Sequence, residues 1–501
     1  MINEQVAMLN AAPTFVWLMV LLLASSPVVY FAGRLREAGR WVALAAIGLA
    51  WIPFVLALNE LQAGVITYSI GAVMLRFDGL SALLAAVALG LGTLVVIYSG
   101  PYMAREANEE KYYAMLIAIV GIMIGLGCAH DLFNLWVWFE AMAVSSYLLV
   151  AFYRNQPGSL EAGLKYLVQS AVGSVLVLLG IALVLAVRGT LNLDQISLSA
   201  QDSPLLLVAG ALFVIGFGVK VAMAPMHTWL PDAHSQAPSG ISAMLSGVVI
   251  EAGLVALLRA LSALVGFNLS WGELLMGFGA LNMLMGNLLA LRQTQVKRLL
   301  AFSSLSHVGY MLLGLGIAIY AGQSAGAEGS FFHVLNHGLM KGLAFLAAGA
   351  LLYALYIAKG DHSSPLTISD LNGASKRYPI VALALSVAVL GLGGLPPLAG
   401  FMSKWQIFVA GFQTQNTVID ALVIFAALNS VLSLAYYAPI VNAVYRKEPS
   451  DAVLRGQPVP LGMLLPIAAL GIAVIVIGMW PSLLQGLTAP AGQALLTAFG
   501  G

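Results

Sequence analysis

Long runs of apolar residues recur along the whole chain and are separated by short polar segments. Each run is about twenty residues long, enough to cross the hydrocarbon core of a bilayer as a helix. The pattern predicts an all-α polytopic membrane protein with about fourteen transmembrane helices. The predicted spans are 13–32, 41–58, 79–99, 112–129, 131–153, 163–187, 205–235, 239–262, 272–291, 299–320, 330–357, 379–412, 417–442 and 459–480.

Two of these runs, the seventh and the twelfth, are too long for one straight crossing, and both contain proline. The seventh contains Pro225 and Pro231, and the twelfth contains Pro396 and Pro397. Proline removes a backbone donor and clashes with the preceding turn, so both helices are predicted to break near the middle of the bilayer. Non-helical backbone at that depth requires contact with protein or water.

The two broken helices are five spans apart, which predicts an internal repeat. Spans 4–8 and 9–13 form two five-helix units, each with its broken helix in fourth position. Because five is odd, the second unit enters the membrane from the opposite side and is inverted, a recurrent transporter design. The predicted divisions are residues 1–110 for the first three helices, 111–265 and 266–445 for the two repeats, and 446–501 for the fourteenth helix.

Basic residues predict the orientation of the chain. Loops after odd-numbered helices carry sixteen lysines and arginines, among them Arg34, Lys111, Arg154, Lys297 and Lys376, whereas the other side carries three. The positive-inside rule therefore places both termini on the non-cytoplasmic side of a prokaryotic inner membrane. The first apolar run lacks a basic flank before it, so it is expected to be a retained helix and not a cleaved signal.

Composition excludes several classes of function. The chain is 60% hydrophobic and 9% charged, has a net charge of +1 and contains one cysteine, Cys128. A single cysteine provides no disulfide, zinc or iron–sulfur ligand set, and the near-neutral charge gives no reason to expect a nucleic-acid partner. No cofactor, metal or redox centre is expected on this chain.

Eight titratable residues lie inside the apolar runs. A charge at bilayer depth costs several kcal/mol, so it persists only where it is paired, hydrated or functional. This cluster predicts a proton path. Its members are Glu140, Lys220, Glu251, His307, His333, His337, Lys341 and Lys404.

Structural roles are the alternative for some of these groups. Glu140 and Lys220 could form a purely structural ion pair, although such pairs often add little net stability. Three serines near His307 could make it a hydrogen-bonded interior histidine, and His227 and His234 could satisfy backbone groups at the first break.

Several long motifs resemble the antiporter-like subunits of respiratory complex I, which are related to Mrp-type cation/proton antiporters and membrane-bound hydrogenases. The resemblance covers about residues 70–445. Its motifs include KVAMAPMHTWLPDAHSQAPSGISAMLSGVVIEAG from Lys220 to Gly253, the carboxylate in NLWVWFEAMAV, QVKRLLAFSSLSHVGYMLLGLG, His333-x3-His337-x3-Lys341, and GLPPLAGFMSKW.

The resemblance implies a role for each matching residue. Glu140 matches the carboxylate that pairs with the lysine of the first broken helix, here Lys220. Lys341, with His333 and His337 at spacings of four on the same helix face, matches the central relay. Lys404 matches the terminal residue from which the proton leaves.

Glu251 departs from the family pattern, because many members carry a lysine or histidine at this position of span eight. The carboxyl group is expected to be either protonated and neutral, or ionised and paired with Lys220 or Lys341. A contribution to a cation site is the alternative.

The sequence thus indicates a proton-translocating membrane subunit of a complex-I-like NADH:quinone oxidoreductase, with other membrane subunits and the lipid bilayer as its partners. The histidines before Lys341, and the absence of a long lateral helix after span fourteen, favour a middle-type subunit. A sodium/proton antiporter subunit of the Mrp type, the equivalent hydrogenase subunit and a non-conducting scaffold remain alternatives. The intramembrane charges argue against the scaffold.

Overall fold

The computed structural model describes residues 12–36, 38–104, 106–198, 203–265 and 270–500. Within these residues, thirteen helices are long and apolar enough to cross a membrane, and up to fourteen when one bent pair is counted as a span. The all-α membrane fold and the predicted number of spans are confirmed. The division into inverted repeats remains a prediction.

The helices follow the predicted apolar runs closely. Their bounds are α1 Thr14–Arg36, α2 Gly39–Leu61, α3 Gly79–Met103, α4 Glu109–Cys128, α5 Leu132–Val150, α6 Pro157–Arg188, α7 Leu193–Leu198, α8 Pro204–Val221, α9 Leu230–Gln236, α10 Ser239–Ser262, α11 Trp271–Ala290, α12 Val296–Ala321, α13 Ser324–Leu355, α14 Pro379–Gly393, α15 Ala399–Gln413, α16 Thr417–Arg446, α17 Asp451–Leu454, α18 Leu461–Met479 and α19 Gln485–Ala498.

Both long, proline-containing runs are broken, as predicted. The seventh divides into α8 and the short α9, which are separated by residues 222–229, and the twelfth divides into α14 and α15, which are separated by residues 394–398. The peptide bonds before Pro225 and Pro397 are cis. The helix α10, which follows the first break, contains a π-helical turn at Leu245–Val249, just before Glu251.

A β-hairpin between α2 and α3 was not predicted. Strand β1, Ile66–Ile70, pairs antiparallel with β2, Val73–Phe77. The backbone N–H of His130 donates to the Met74 carbonyl at 3.0 Å, so the hairpin lies beside the loop that joins α4 to α5. A helix beyond span fourteen, α19, was also not predicted, and it packs against α3 and α13.

A buried ion pair joins the start of α3 to the end of α10. Asp78 caps α3 by accepting from the backbone N–H of Ser81 at 2.9 Å. Both carboxylate oxygens of Asp78 accept from Arg259 Nη2, at 2.9 and 3.1 Å, and the same nitrogen donates to the Gly127 carbonyl at 2.7 Å.

Replacing Arg259 with leucine is expected to lower the free energy of unfolding by about 3–5 kcal/mol, because Asp78 would remain buried without its cationic partner. Thermal unfolding in detergent measures the change, with the exposed Arg455→Leu as control. Adding Asp78→Asn to the Arg259→Leu variant is expected to restore part of the loss. An Arg259→Leu protein as stable as the control would contradict the prediction.

Candidate functional site

The first broken helix places Lys220 in the last turn of α8, where helix geometry ends. Ala222 adopts a left-handed conformation with φ 57° and terminates the helix. The indole N–H of Trp229 donates to the freed Val219 carbonyl at 2.7 Å, so the end of α8 is satisfied inside the protein. The C-terminal end of a helix carries partial negative charge, which favours a cationic lysine at this position.

The direct partner of Lys220 is a tyrosine. The Lys220 side chain is 1% exposed, and its Nζ donates to the Tyr166 hydroxyl at 2.7 Å. The Tyr166 ring stacks on Trp229, with ring centroids 3.9 Å apart. Within the described residues, no hydrogen bond or ion pair joins Glu140 to Lys220, but Glu140 lies within electrostatic range. The pairing inferred for these two residues is therefore indirect in this structure.

Glu251 is buried and contacts a histidine. Glu251 Oε1 lies 2.9 Å from His337 Nδ1, and both side chains are inaccessible to solvent. The second carboxyl oxygen, Oε2, has no hydrogen-bond partner in the part of the chain that the structure describes. The alternative in which an ionised Glu251 pairs with Lys220 or Lys341 is not found among the described residues, because those lysines donate to other groups and the nearest partner of Glu251 is His337.

Three histidines from α12 and α13 form a stacked series. His307 Nδ1 lies 2.9 Å from His333 Nε2, and the two rings stack with centroids 5.1 Å apart. The His307 and His337 rings have centroids 5.2 Å apart. His333 Nδ1 lies 2.8 Å from the Ser403 hydroxyl of α15. The contacts run from Glu251 through His337, His307 and His333 to the residue next to Lys404.

Lys341 lies on the same helix as His337 but contacts α12. Its Nζ donates to the Leu300 carbonyl at 2.7 Å and to the Ser303 hydroxyl. The side chain is fully buried. Within the described residues, no hydrogen bond joins Lys341 to the histidine series, so the ladder expected along one face of α13 continues through His307 of α12, with Lys341 beside it.

At the second broken helix, as at the first, a side chain donates a hydrogen bond to a backbone carbonyl at the helix end. Lys404 Nζ donates to the Leu392 carbonyl, in the last turn of α14, and to the Ser430 hydroxyl of α16, both at 2.9 Å. The ammonium group also lies 4.5 Å from the centroid of the Tyr310 ring. Gly394, with φ +79°, ends α14 beside this side chain; a Cβ there would lie 3.3 Å from Lys404 Cδ. The left-handed backbone favours glycine at this position.

Sequence reasoning missed the neutral groups that complete the site. The hydroxyls of Tyr166, Ser303, Ser403 and Ser430 each contact a predicted lysine or histidine. Serine and tyrosine occur throughout the chain, so no sequence signal distinguishes these four from the rest.

Two further titratable groups are buried near the first break. The ring of His234 is fully buried and stacks on Phe345, with ring centroids 4.8 Å apart. Among the described residues, neither of its nitrogens has a hydrogen-bond partner. Lys297, assigned to a loop by the sequence analysis, lies in the first turn of α12 and is 6% exposed. That loop assignment is wrong, because the chain folds Lys297 against the end of α9.

The histidine series has the chemistry of a proton relay. A neutral imidazole carries one N–H donor and one acceptor nitrogen. Between His307 and His333 one nitrogen must donate and the other accept, and transfer of a proton from one ring to the other reverses these roles. Within the described residues, no group of three or more histidine, cysteine or carboxylate side chains is arranged to hold a metal ion.

Two family models match the chain. The model described as NADH:quinone oxidoreductase/Mrp antiporter, TM matches residues 129–433, and the model described as NADH-Ubiquinone oxidoreductase (complex I), chain 5 N-terminus matches residues 66–113. The first match covers more than half of the chain and contains every candidate site residue.

Two of the similar proteins are each named as subunit N of a dehydrogenase or oxidoreductase. The F(420)H(2) dehydrogenase subunit N of Methanosarcina mazei is 33% identical over 438 residues, covering 86% of this chain and 87% of that one. The NADH-quinone oxidoreductase subunit N of Desulforudis audaxviator is 30% identical over 426 residues, covering 81% and 82%.

Solved structures show the same fold. A chain of the archaeal membrane-bound sulfane sulfur reductase aligns with a TM-score of 0.87 at 27% identity, covering 97% of this chain and 99% of that one. A chain of respiratory complex I from Thermus thermophilus aligns with a TM-score of 0.77 at 27% identity, covering 93% and 98%. A chain of the Mrp complex from Dietzia aligns with a TM-score of 0.85 at 24% identity, covering 97% and 99%, a likeness of fold alone.

Proposed function

The chain belongs to the family of membrane subunits shared by NADH:quinone oxidoreductases and Mrp antiporters, and from this membership we propose that it translocates protons as one subunit of a redox-driven complex. The observation that carries the proposal is the buried series Glu251–His337–His307–His333–Ser403. A structural core has no need of four titratable groups in mutual contact at bilayer depth.

The proposed path has three sections. Lys220, under the electrostatic influence of Glu140, is the loading group of the first broken helix. The carboxyl–histidine series connects the middle of the membrane to the second broken helix, with Lys341 beside it on α13. Lys404, held between the end of α14 and Ser430, releases the proton. Burial makes each group costly to charge, so small changes in its surroundings move its proton.

The partners are other membrane subunits, since the solved relatives are multisubunit membrane complexes. A position in the middle of such a complex, a non-cytoplasmic location of both termini, and the identity of the translocated ion as a proton are parts of this proposal. The face that carries the excess of basic residues is called the basic face below; the positive-inside rule assigns it to the cytoplasm.

Purification of the tagged chain in mild detergent, followed by mass spectrometry of its companions, tests the redox assignment. Co-purification of iron–sulfur and flavin subunits is the expected result. Recovery with small membrane subunits alone would contradict the redox assignment and identify the chain as a component of an Mrp-type sodium/proton antiporter.

Replacing Lys404 with glutamate is expected to keep translocation within about tenfold of the wild-type rate, because the release position needs only a group that titrates. Lys404→Met, which cannot titrate, is expected to lose translocation. Proton uptake by sealed vesicles that contain the assembled complex measures both. An assembled but inactive Lys404→Glu complex would count against the role of Lys404 in release.

A further inference from the structure

A small polar cavity near the basic face contains Lys297. Its volume is about 130 Å³, and its lining includes Tyr102, Gln295, Lys297 and His362. Lys297 Nζ donates to the Ala237 carbonyl at 2.5 Å, and within the described residues it forms no ion pair. A polar cavity of this size holds several water molecules, which lysine and backbone carbonyls can bind. A buried lysine without a carboxylate partner is therefore in contact with space for water.

Lys297 and the central lysine, Lys341, both contact the start of α12. Lys341 Nζ donates to the Leu300 carbonyl, which lies three residues after Lys297 on α12. Lys297 lies in the first turn of α12, and Lys341 contacts a carbonyl about one turn further along the same helix, a rise of about 5.4 Å. His234 stacks on Phe345, four residues after Lys341 and on the same face of α13. The His234 ring also lies within electrostatic range of Lys297 and Lys341.

A second cavity lies outside the first. It is a groove of about 600 Å³, and its lining includes Lys111, Arg154 and Glu106. The two cavities share Tyr153, Gln156 and His362 as lining residues. His362 Nδ1 lies 3.1 Å from Glu106 Oε1. The contact between His362 and Glu106 thus stands between the wide outer groove and the small cavity at Lys297.

We infer that this pair of cavities is the entrance through which protons reach the relay from the basic face, with Lys297 as the first proton-accepting side chain. The inference rests on the proposed function. Protons cross the contact of Glu106 and His362 into the inner cavity, are accepted by Lys297, and pass with His234 as intermediate to Lys341. The lysine has two functions: its ammonium group caps the carbonyls at the end of α9, and its neutral amine accepts the incoming proton.

Two substitutions of Lys297 test whether it transfers protons or only caps the carbonyls at the end of α9. Lys297→Arg keeps a charged donor for the carbonyls of α9, but arginine does not release its proton. Both Lys297→Arg and Lys297→Gln are expected to reduce proton uptake by the assembled complex at least about tenfold. Lys376→Gln is the matched control, because Lys376 is an exposed lysine paired at 3.1 Å with Glu448, and it is expected to behave as wild type.

Comparing proton uptake by the Lys297→Arg and Lys220→Ala complexes in these vesicles distinguishes failure of this inference from failure of the proposed function. An assembled Lys297→Arg complex that takes up protons at the wild-type rate, while Lys220→Ala does not, would reduce Lys297 to a structural cap and overturn the inference alone. Wild-type uptake by Lys220→Ala would overturn the proposed function itself.

Cysteine labelling tests the entrance without measuring translocation. Cys128, the one native cysteine, is buried and is replaced by alanine to give a cysteine-free chain. Ser235, whose backbone carbonyl lies 3.5 Å from Lys297 Nζ, lines the inner cavity and is replaced by cysteine. A membrane-impermeant methanethiosulfonate is expected to label Ser235→Cys from the basic face only, and faster when Glu106→Gln weakens the contact with His362. Labelling from the opposite face alone, or none from either face, would overturn the inference.

Discussion

Replacing Lys220 with alanine is expected to abolish coupled proton translocation, lowering the rate by at least about a hundredfold while the complex still assembles. The ammonium group lies at the carbonyl end of the broken α8, hydrogen-bonded to Tyr166 and 1% exposed. Removal of the side chain leaves the Tyr166 hydroxyl without its donor and the first broken helix without its titratable loading group. Proton uptake by sealed vesicles, normalised to the amount of assembled complex, measures the loss.

Glu140→Ala extends this prediction, because Glu140 acts on Lys220 through the field and not through a hydrogen bond. The carboxylate stabilises the charged lysine. We therefore expect Glu140→Ala also to abolish coupled translocation. Exposed residues of the same types, Lys376→Ala and Glu448→Ala, are the controls. Wild-type translocation by an assembled Lys220→Ala or Glu140→Ala complex would contradict the assignment.

The spans and their breaks were predictable because the bilayer imposes a simple rule on sequence. Each crossing needs an apolar run of fixed length, and proline within such a run forces a break. The β-hairpin Ile66–Ile70 and Val73–Phe77 follows a period of two over five residues, which a search for twenty-residue apolar runs does not register. Helix α19 is short and rich in small and polar residues, so its position depends on packing against α3 and α13.

The charged members of the site were predictable for a similar reason, since charge stands out in an apolar sequence. The contacts between them were not. Glu251 has His337 as its partner because α13 packs against α10, which depends on tertiary structure. Lys297 illustrates the opposite error: adjacent polar residues suggest a loop, yet the end of α9 covers its side chain.

Replacing Glu251 with glutamine is expected to reduce proton translocation by at least about tenfold, because the amide keeps the size of the side chain but does not exchange a proton with His337. Glu251 Oε1 and His337 Nδ1 are 2.9 Å apart in a site without solvent access, so no water replaces the carboxyl group. The same vesicle assay measures the rate. Glu273→Gln is the matched control, an exposed carboxylate in the first turn of α11.

Thermal unfolding of the Glu251→Gln complex separates transport from stability. The glutamine amide can still hydrogen-bond His337. The unfolding temperature of the Glu251→Gln complex is therefore expected to stay close to that of the Glu273→Gln control, while its rate of proton translocation falls. If the Glu251→Gln complex translocates protons at the wild-type rate, the carboxyl group is not a member of the series, and protons reach the three histidines by another route. A loss of translocation that sodium restores would instead make Glu251 part of a cation site. The expected result, loss at any sodium concentration, places a carboxyl group in a relay where many relatives are expected to use a lysine or histidine.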